Sequence, residues 1–216
     1  MTYRRLLGMA VLLVVSSGAV AAQGIDRFEL GARANVVGGD GEPANDILGG
    51  GVYARHRLGG GWLLGFAVDH SPGFDVERPY EFLGLVGDPA AGEIDADGTM
   101  TSLVAWIERE YGRPGGRLEW FLGLGGGGAA LDADPISGPL AGGGVYDITQ
   151  DVGTEWIAAG LAGLRVRFGG AWAFETGLRL EQHFTDWTVT DRVSGRTVSL
   201  DDYQVRGVHL GLGHRF

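Results

Sequence analysis

Cysteine and lysine are both absent from this 216-residue chain. Without cysteine there is no disulfide framework, so the fold is held together by other means. Without lysine, each of the 17 basic residues is an arginine. Positive charge is also short overall, because 27 acidic residues leave a net charge of −10. That balance excludes a nucleic-acid partner, whose phosphates need a basic face. After residue 22 no apolar run approaches the ~20 residues of a membrane helix. No heptad, linker or domain break appears either.

Two things are abundant. One is an apolar leader. Arg4 and Arg5 precede an apolar run over 6–15, and small residues follow, with Ala19-Val20-Ala21 as a cleavage site. Residues 1–22 therefore read as a cleaved signal peptide, and no cysteine follows to make it a lipoprotein signal. The mature chain, 23–216, carries 15 basic and 27 acidic residues, a net charge of −12. The other is glycine, 41 residues with no collagen-like period, which points to tight turns and close backbone packing.

The mature chain repeats one unit, a period-two segment followed by a turn. The segments are 27–37, 48–58, 61–71, 99–111, 117–131, 154–168, 172–185 and 203–216. In the sixth, Trp156, Ala158, Ala162, Leu164, Val166 and Phe168 stand against Glu155, Ile157, Arg165 and Arg167. Alternation of this kind is a strand with one greasy and one charged face. Short glycine turns (59–60, 112–116 and 169–170) alternate with longer connections (38–47, 72–98, 132–153 and 186–202), and all 7 prolines fall in connections. The expected fold is all-β, an eight-stranded antiparallel up-and-down transmembrane barrel with short periplasmic turns and longer extracellular loops.

Three features turn the greasy face outward. The segments run to about 11–14 residues, which suits a tilted membrane strand better than the ~5–6 of a soluble one. Aromatics cluster near the short turns (Trp62, Tyr111, Trp120, Phe168, Trp172 and Phe216), like an interfacial girdle. Long and short connections alternate in the manner of such barrels. The charged face then lines the lumen. It brings Arg33, Arg55, Arg57, Arg165, Arg167 and Arg179 against Glu29, Glu108, Glu110, Glu119, Glu155, Glu175 and Glu181, with Arg27, Asp69, Arg117 and Arg215 beside them. Eight strands leave room only for side chains, so these charges must pair and plug the barrel. Arginine suits the task, since its planar fork bonds carboxylates bidentately.

The last segment alternates Val208, Leu210, Leu212, His214 and Phe216 against Gly207, His209, Gly211, Gly213 and Arg215. An open edge there would invite aggregation, so it is expected to pair with the first strand. With the leader and the strand count, this ending resembles the small Gram-negative outer-membrane β-barrels of the OmpA/OmpX-like kind, over 23–216. The resemblance implies an assembly signal at Val208, Leu210, Leu212 and Phe216, read by the barrel-assembly machinery. His214 departs from the tyrosine more usual there. It also implies an outer-membrane location in contact with lipid and lipopolysaccharide, a monomer, and no peptidoglycan-binding domain after Phe216.

Some barrels of this shape modify lipid A with His and Ser near the outer rim. Asp69-His70-Ser71 offers those residue types, but adjacent strand residues point to opposite faces, so His70 and Ser71 cannot pair directly. His70 is expected at headgroup level and Ser71 at the start of a loop. Glu93, Asp95 and Asp97 partly resemble a calcium loop; Val104 stands where an EF-hand needs glutamate, leaving at most a looser calcium or magnesium site. Glu181, His183 and Asp186 could form a proton relay or a metal site, or belong to the lumen network and its rim. Arg206 reads as a snorkelling interfacial side chain or a lipid-phosphate contact. Gly123 and 125–128 lack the lysine of a phosphate loop and read as bends or close approaches. The leading functional expectation is a structural or surface-interaction protein without catalytic residues or cofactor. The alternatives are a lipid A-modifying enzyme using His70 or His183, and a narrow pore.

Overall fold

All eight period-two segments become strands, and four shorter ones join them. The computed structural model describes residues 27–39, 47–78, 94–112, 116–139, 143–199 and 201–216, with backbone only for 39, 47, 73–78 and 94–97. The leader at 1–22 lies outside the described residues. In chain order the strands are β1 (Phe28–Gly39), β2 (Ile47–Gly59), β3 (Trp62–Arg78), β4 (Ile94–Gly112), β5 (Leu118–Ala133), β6 (Ile136–Pro139), β7 (Val145–Asp151), β8 (Thr154–Phe168), β9 (Trp172–Phe184), β10 (Thr188–Asp191), β11 (Arg196–Ser199) and β12 (Tyr203–Arg215).

Eight of them close into an antiparallel barrel in the order β1-β12-β9-β8-β5-β4-β3-β2. The seam joins the first strand to the last, with Glu29 opposite Arg215 and Val36 opposite Val208. Closure leaves none of these strands with an open edge. At the β8–β9 turn Gly169 and Gly170 have φ of 59° and 80°. Two consecutive left-handed residues make the tight turn whose twist matches the strands, and glycine adopts that backbone without strain.

The remaining strands correct the sequence reading. The connections 132–153 and 186–202 are not simple loops: β6, β7, β10 and β11 form a second sheet at the long-loop end, in the order β11-β10-β7-β6. Residues 193–195 form the tip of the β10–β11 hairpin. Among the described residues two prolines lie within strands. Pro139 ends β6, and Pro72 sits in β3 where the register slips between Ser71 and Phe74. A residue without an N–H fits a bulge, where the ladder is already interrupted. Ser71 therefore does not open a loop; β3 runs on to Arg78.

The faces are inverted relative to a soluble protein. Trp62, Trp120, Trp156 and Trp172 stand on the outside, the third 72% exposed. Arg165 and Glu108 are fully buried inside. Such a surface would be an aggregation hazard in water and is at home against hydrocarbon.

Candidate functional site: the lumen and its cap

Toward the short-turn end, inward residues of β1, β2, β4, β5, β8 and β9 form one ion-pair network. Arg55 donates from Nη1 to Glu29 Oε1 at 3.0 Å and to Glu175 Oε2 at 2.6 Å, and from Nη2 to Glu175 Oε1 at 2.7 Å. Arg165 donates from Nη2 to Glu108 Oε1 at 2.8 Å and to Glu175 Oε2 at 3.0 Å, and from Nη1 to Glu110. Arg57 reaches Glu110 at 2.5 Å, while Arg167 bonds Glu110 at 2.8 Å and Glu119 at 2.7 Å. The fork of each arginine lets it serve several carboxylates at once, which is what burying so many charges requires.

A second chain of contacts lies nearer the long-loop end. Arg33 donates from Nε to Asp69 Oδ1 at 2.8 Å and pairs with the other oxygen through Nη2. Asn35 adds a bond to the same carboxylate at 3.0 Å. Arg179 bridges Asp69 at 2.6 Å and Glu181 at 2.5 Å. His183 Nδ1 lies 2.8 Å from Glu155 Oε2, and its Nε2 lies 3.5 Å from Glu181 Oε2. The Tyr203 hydroxyl donates to Glu155 at 2.7 Å, and its ring stacks on His183 with centroids 4.7 Å apart.

Aromatic rings fill the space between these layers, so the lumen is not a plug of ion pairs alone. Trp106 donates from Nε1 to Glu108 at 3.0 Å, and its ring lies where a side chain on Gly65 would otherwise stand. Phe121 occupies the same kind of seat at Gly163, and Tyr53 at Gly31 and Gly213. Guanidinium groups cover the rings: Arg55 lies 4.2 Å above Tyr53, and Arg165 4.9 Å above Phe121. Much of the glycine excess thus leaves room for large inward side chains.

Above them an apolar cap closes the lumen. Trp187 and Ile148, at 0% and 1% exposure, pack with Val189, Leu131 and Tyr203 beneath the second sheet. The sequence pattern did not reveal this cap. Trp187 stands alone between Asp186 and Thr188, with no period to mark it as inward.

The other candidates separate. His70 points outward, its Nδ1 3.0 Å from Thr101 Oγ1, while Ser71 is buried on the inner face, so no nucleophile–base pair forms. Asp186 is exposed and takes no part in the Glu181–His183 contact. Arg27 and Arg117 are exposed rather than in the lumen, and Arg215 is half-buried at its rim. Both exposed arginines precede the first residue of a strand, where the alternation no longer governs direction. Glu93 lies outside the described residues, and Asp95 and Asp97 are described only as β4 backbone. Among the described residues no group of three or more histidines and carboxylates could hold a metal ion. Val208, Leu210 and Leu212 face outward along β12, and Phe216 donates its backbone N–H to the Phe28 carbonyl at 3.0 Å.

No family model and no curated protein matches the sequence. Solved structures do. OprG of Pseudomonas aeruginosa superposes with a TM-score of 0.59 at 15% identity, covering 89% of this chain and 96% of that one. A major outer membrane protein of Thermus thermophilus gives 0.55 at 13%, covering 88% and 99%. Neisserial surface protein A gives 0.52 at 14%, covering 88% and 96%. The chain has the outer-membrane β-barrel fold. The second sheet stands at the long-connection end of this barrel, and the arginine–glutamate network lies toward the short-turn end.

Proposed function

We propose that this outer-membrane barrel is a passive platform with a structural or surface-interaction role, presenting its β6-β7-β10-β11 sheet to the exterior. The observation that carries this reading is the filled lumen. Ion pairs, rings and the Trp187 cap occupy it in succession, and the sheet rests on the cap. A site that is full offers a solute no path, whereas a rigid sheet above the membrane offers a partner a surface. One of the matching structures is itself named a surface protein. Export through the leader at 1–22, insertion by the assembly machinery through the β12 signal, and a monomeric state in contact with lipopolysaccharide complete the reading. Any divalent cation is assigned to Glu93 and to Asp95 and Asp97 at the start of β4, and no catalytic cofactor is required.

The absence of cysteine makes the test clean. A Ser194→Cys variant at the hairpin tip should react with a membrane-impermeant maleimide on intact cells, and failure to react would remove the display claim. In planar bilayers the protein should give no large, steady openings; such openings would establish a pore instead. The enzyme alternative predicts that His70→Ala or His183→Ala changes lipid A. Unchanged lipid A by mass spectrometry is the expected result.

A further inference from the structure

The lipid-facing wall is not uniform. Cross-strand register places Leu124, Gly160 and Leu180 in one row and Leu122, Ala162 and Leu178 in the next. Strand β8 thus presents small residues between leucine ridges on β5 and β9. A side chain begun at Gly160 would meet only the Leu180 carbonyl oxygen, at 4.0 Å, so open space stands above it. The result is an apolar hollow of about 1090 Å³ on the outside of the barrel. It crosses from β4 to β12, about four inter-strand steps or ~19 Å around the wall, wide enough for an acyl chain to lie along β8 between the leucine ridges.

One end of this hollow carries a placed cation. Trp62, at the short-turn end of β3, lies opposite Arg109, and Arg109 opposite Leu122. The Arg109 guanidinium sits 5.2 Å from the Trp62 ring and 5.3 Å from the Tyr111 ring. Tyr111 is itself stacked on Trp120 at 4.0 Å. Arg109 is exposed, and among the described residues no carboxylate pairs with it. Two ring faces hold the group in position, and its fork of N–H donors matches a phosphate. A cation at the aromatic girdle beside an apolar trough calls for a ligand with an anionic head and a hydrocarbon tail.

We propose that this hollow holds one anionic glycerophospholipid of the periplasmic leaflet, its phosphate on Arg109 and an acyl chain lying over Gly160 between Leu124 and Leu180. The site is independent of the platform role, which survives if the lipid does not bind. Lipid A is the competing occupant. It would enter from the opposite leaflet and engage Arg206, which lies in register with Leu180.

The test uses the folded barrel in detergent with equal amounts of phosphatidylglycerol and phosphatidylcholine of matched chains, read by native mass spectrometry. One phosphatidylglycerol should be retained about tenfold or more over phosphatidylcholine, whose choline cation already neutralises the phosphate that Arg109 would bind. Arg109→Gln should equalise the two lipids, Arg109→Lys should keep part of the preference, and Gly160→Leu should reduce retention of both. Heat-modifiable gel mobility confirms that each variant is folded. Equal retention by the unaltered protein, or a preference that Arg109→Gln leaves unchanged, overturns the assignment. So does preferential retention of lipid A, added in equal amount in a parallel run, that Arg206→Gln removes.

Discussion

The short-turn half of the lumen and the cap at its long-connection end close the same barrel by opposite chemistry. Below, Arg55 and Arg165 tie together carboxylates drawn from strands around the wall. Above, Trp187, Ile148 and Val189 exclude water as a buried apolar cluster. The contrast separates two kinds of failure. A lost partner in the ion-pair layer leaves buried charge that the whole barrel must accommodate. A lost ring in the cap loosens only the sheet resting on it.

The largest expected break is in the lower layer. Arg165→Ala takes one guanidinium from each of Glu108, Glu110 and Glu175, leaving Arg55, Arg57 and Arg167 to hold them, and should cost the barrel about 3–5 kcal/mol, measured by urea titration of gel mobility in detergent. A cost near zero would mean water relieves those carboxylates. Trp187→Ala should cost a comparable ~3–5 kcal/mol locally, but only in the outer sheet. Faster hydrogen exchange over 188–199 with an unchanged barrel midpoint is the result that keeps the two regions distinct. Gly65→Ala drives a methyl group into Trp106 and should cost about 1–3 kcal/mol by overpacking, read in the same titration.

The smallest effect concerns pH at the hairpin tip. Burial pushes the Asp191 carboxyl up, but hydrogen bonds from Ser194 and from the backbone N–H groups of Asp147, Val193 and Ser194 outweigh it and hold the group below its ordinary value. A depressed carboxylate stabilises the hairpin fully above the ordinary value near 3.8, and that support fades as pH falls through the folded value. Proteolysis at the tip should therefore quicken in acid, and Asp191→Asn should remove the pH dependence.

Where one face is buried over many residues, the sequence was sufficient. The 154–168 segment matches β8 end to end, because Glu155, Arg165 and Arg167 alternate with Trp156, Leu164 and Phe168 throughout. The inward arginines and glutamates were legible for the same reason. Four-residue strands such as β10 carry too little period to be seen. Pro72 looked like a strand breaker because a bulge appears only when two strands are aligned. The hollow over Gly160 was invisible for a related reason, since it exists only across β5, β8 and β9 together.

The pairing of Glu29 with Arg215 has a consequence for biogenesis. The partner of the first strand is the last one synthesised, so no nascent fragment can complete the hydrogen-bonding of β1. Every shorter intermediate exposes two adhesive rims during its transit to the membrane. Holding such a chain apart from its copies is a task for chaperones, and a ribosome that stalls before β12 yields a product fit only for degradation.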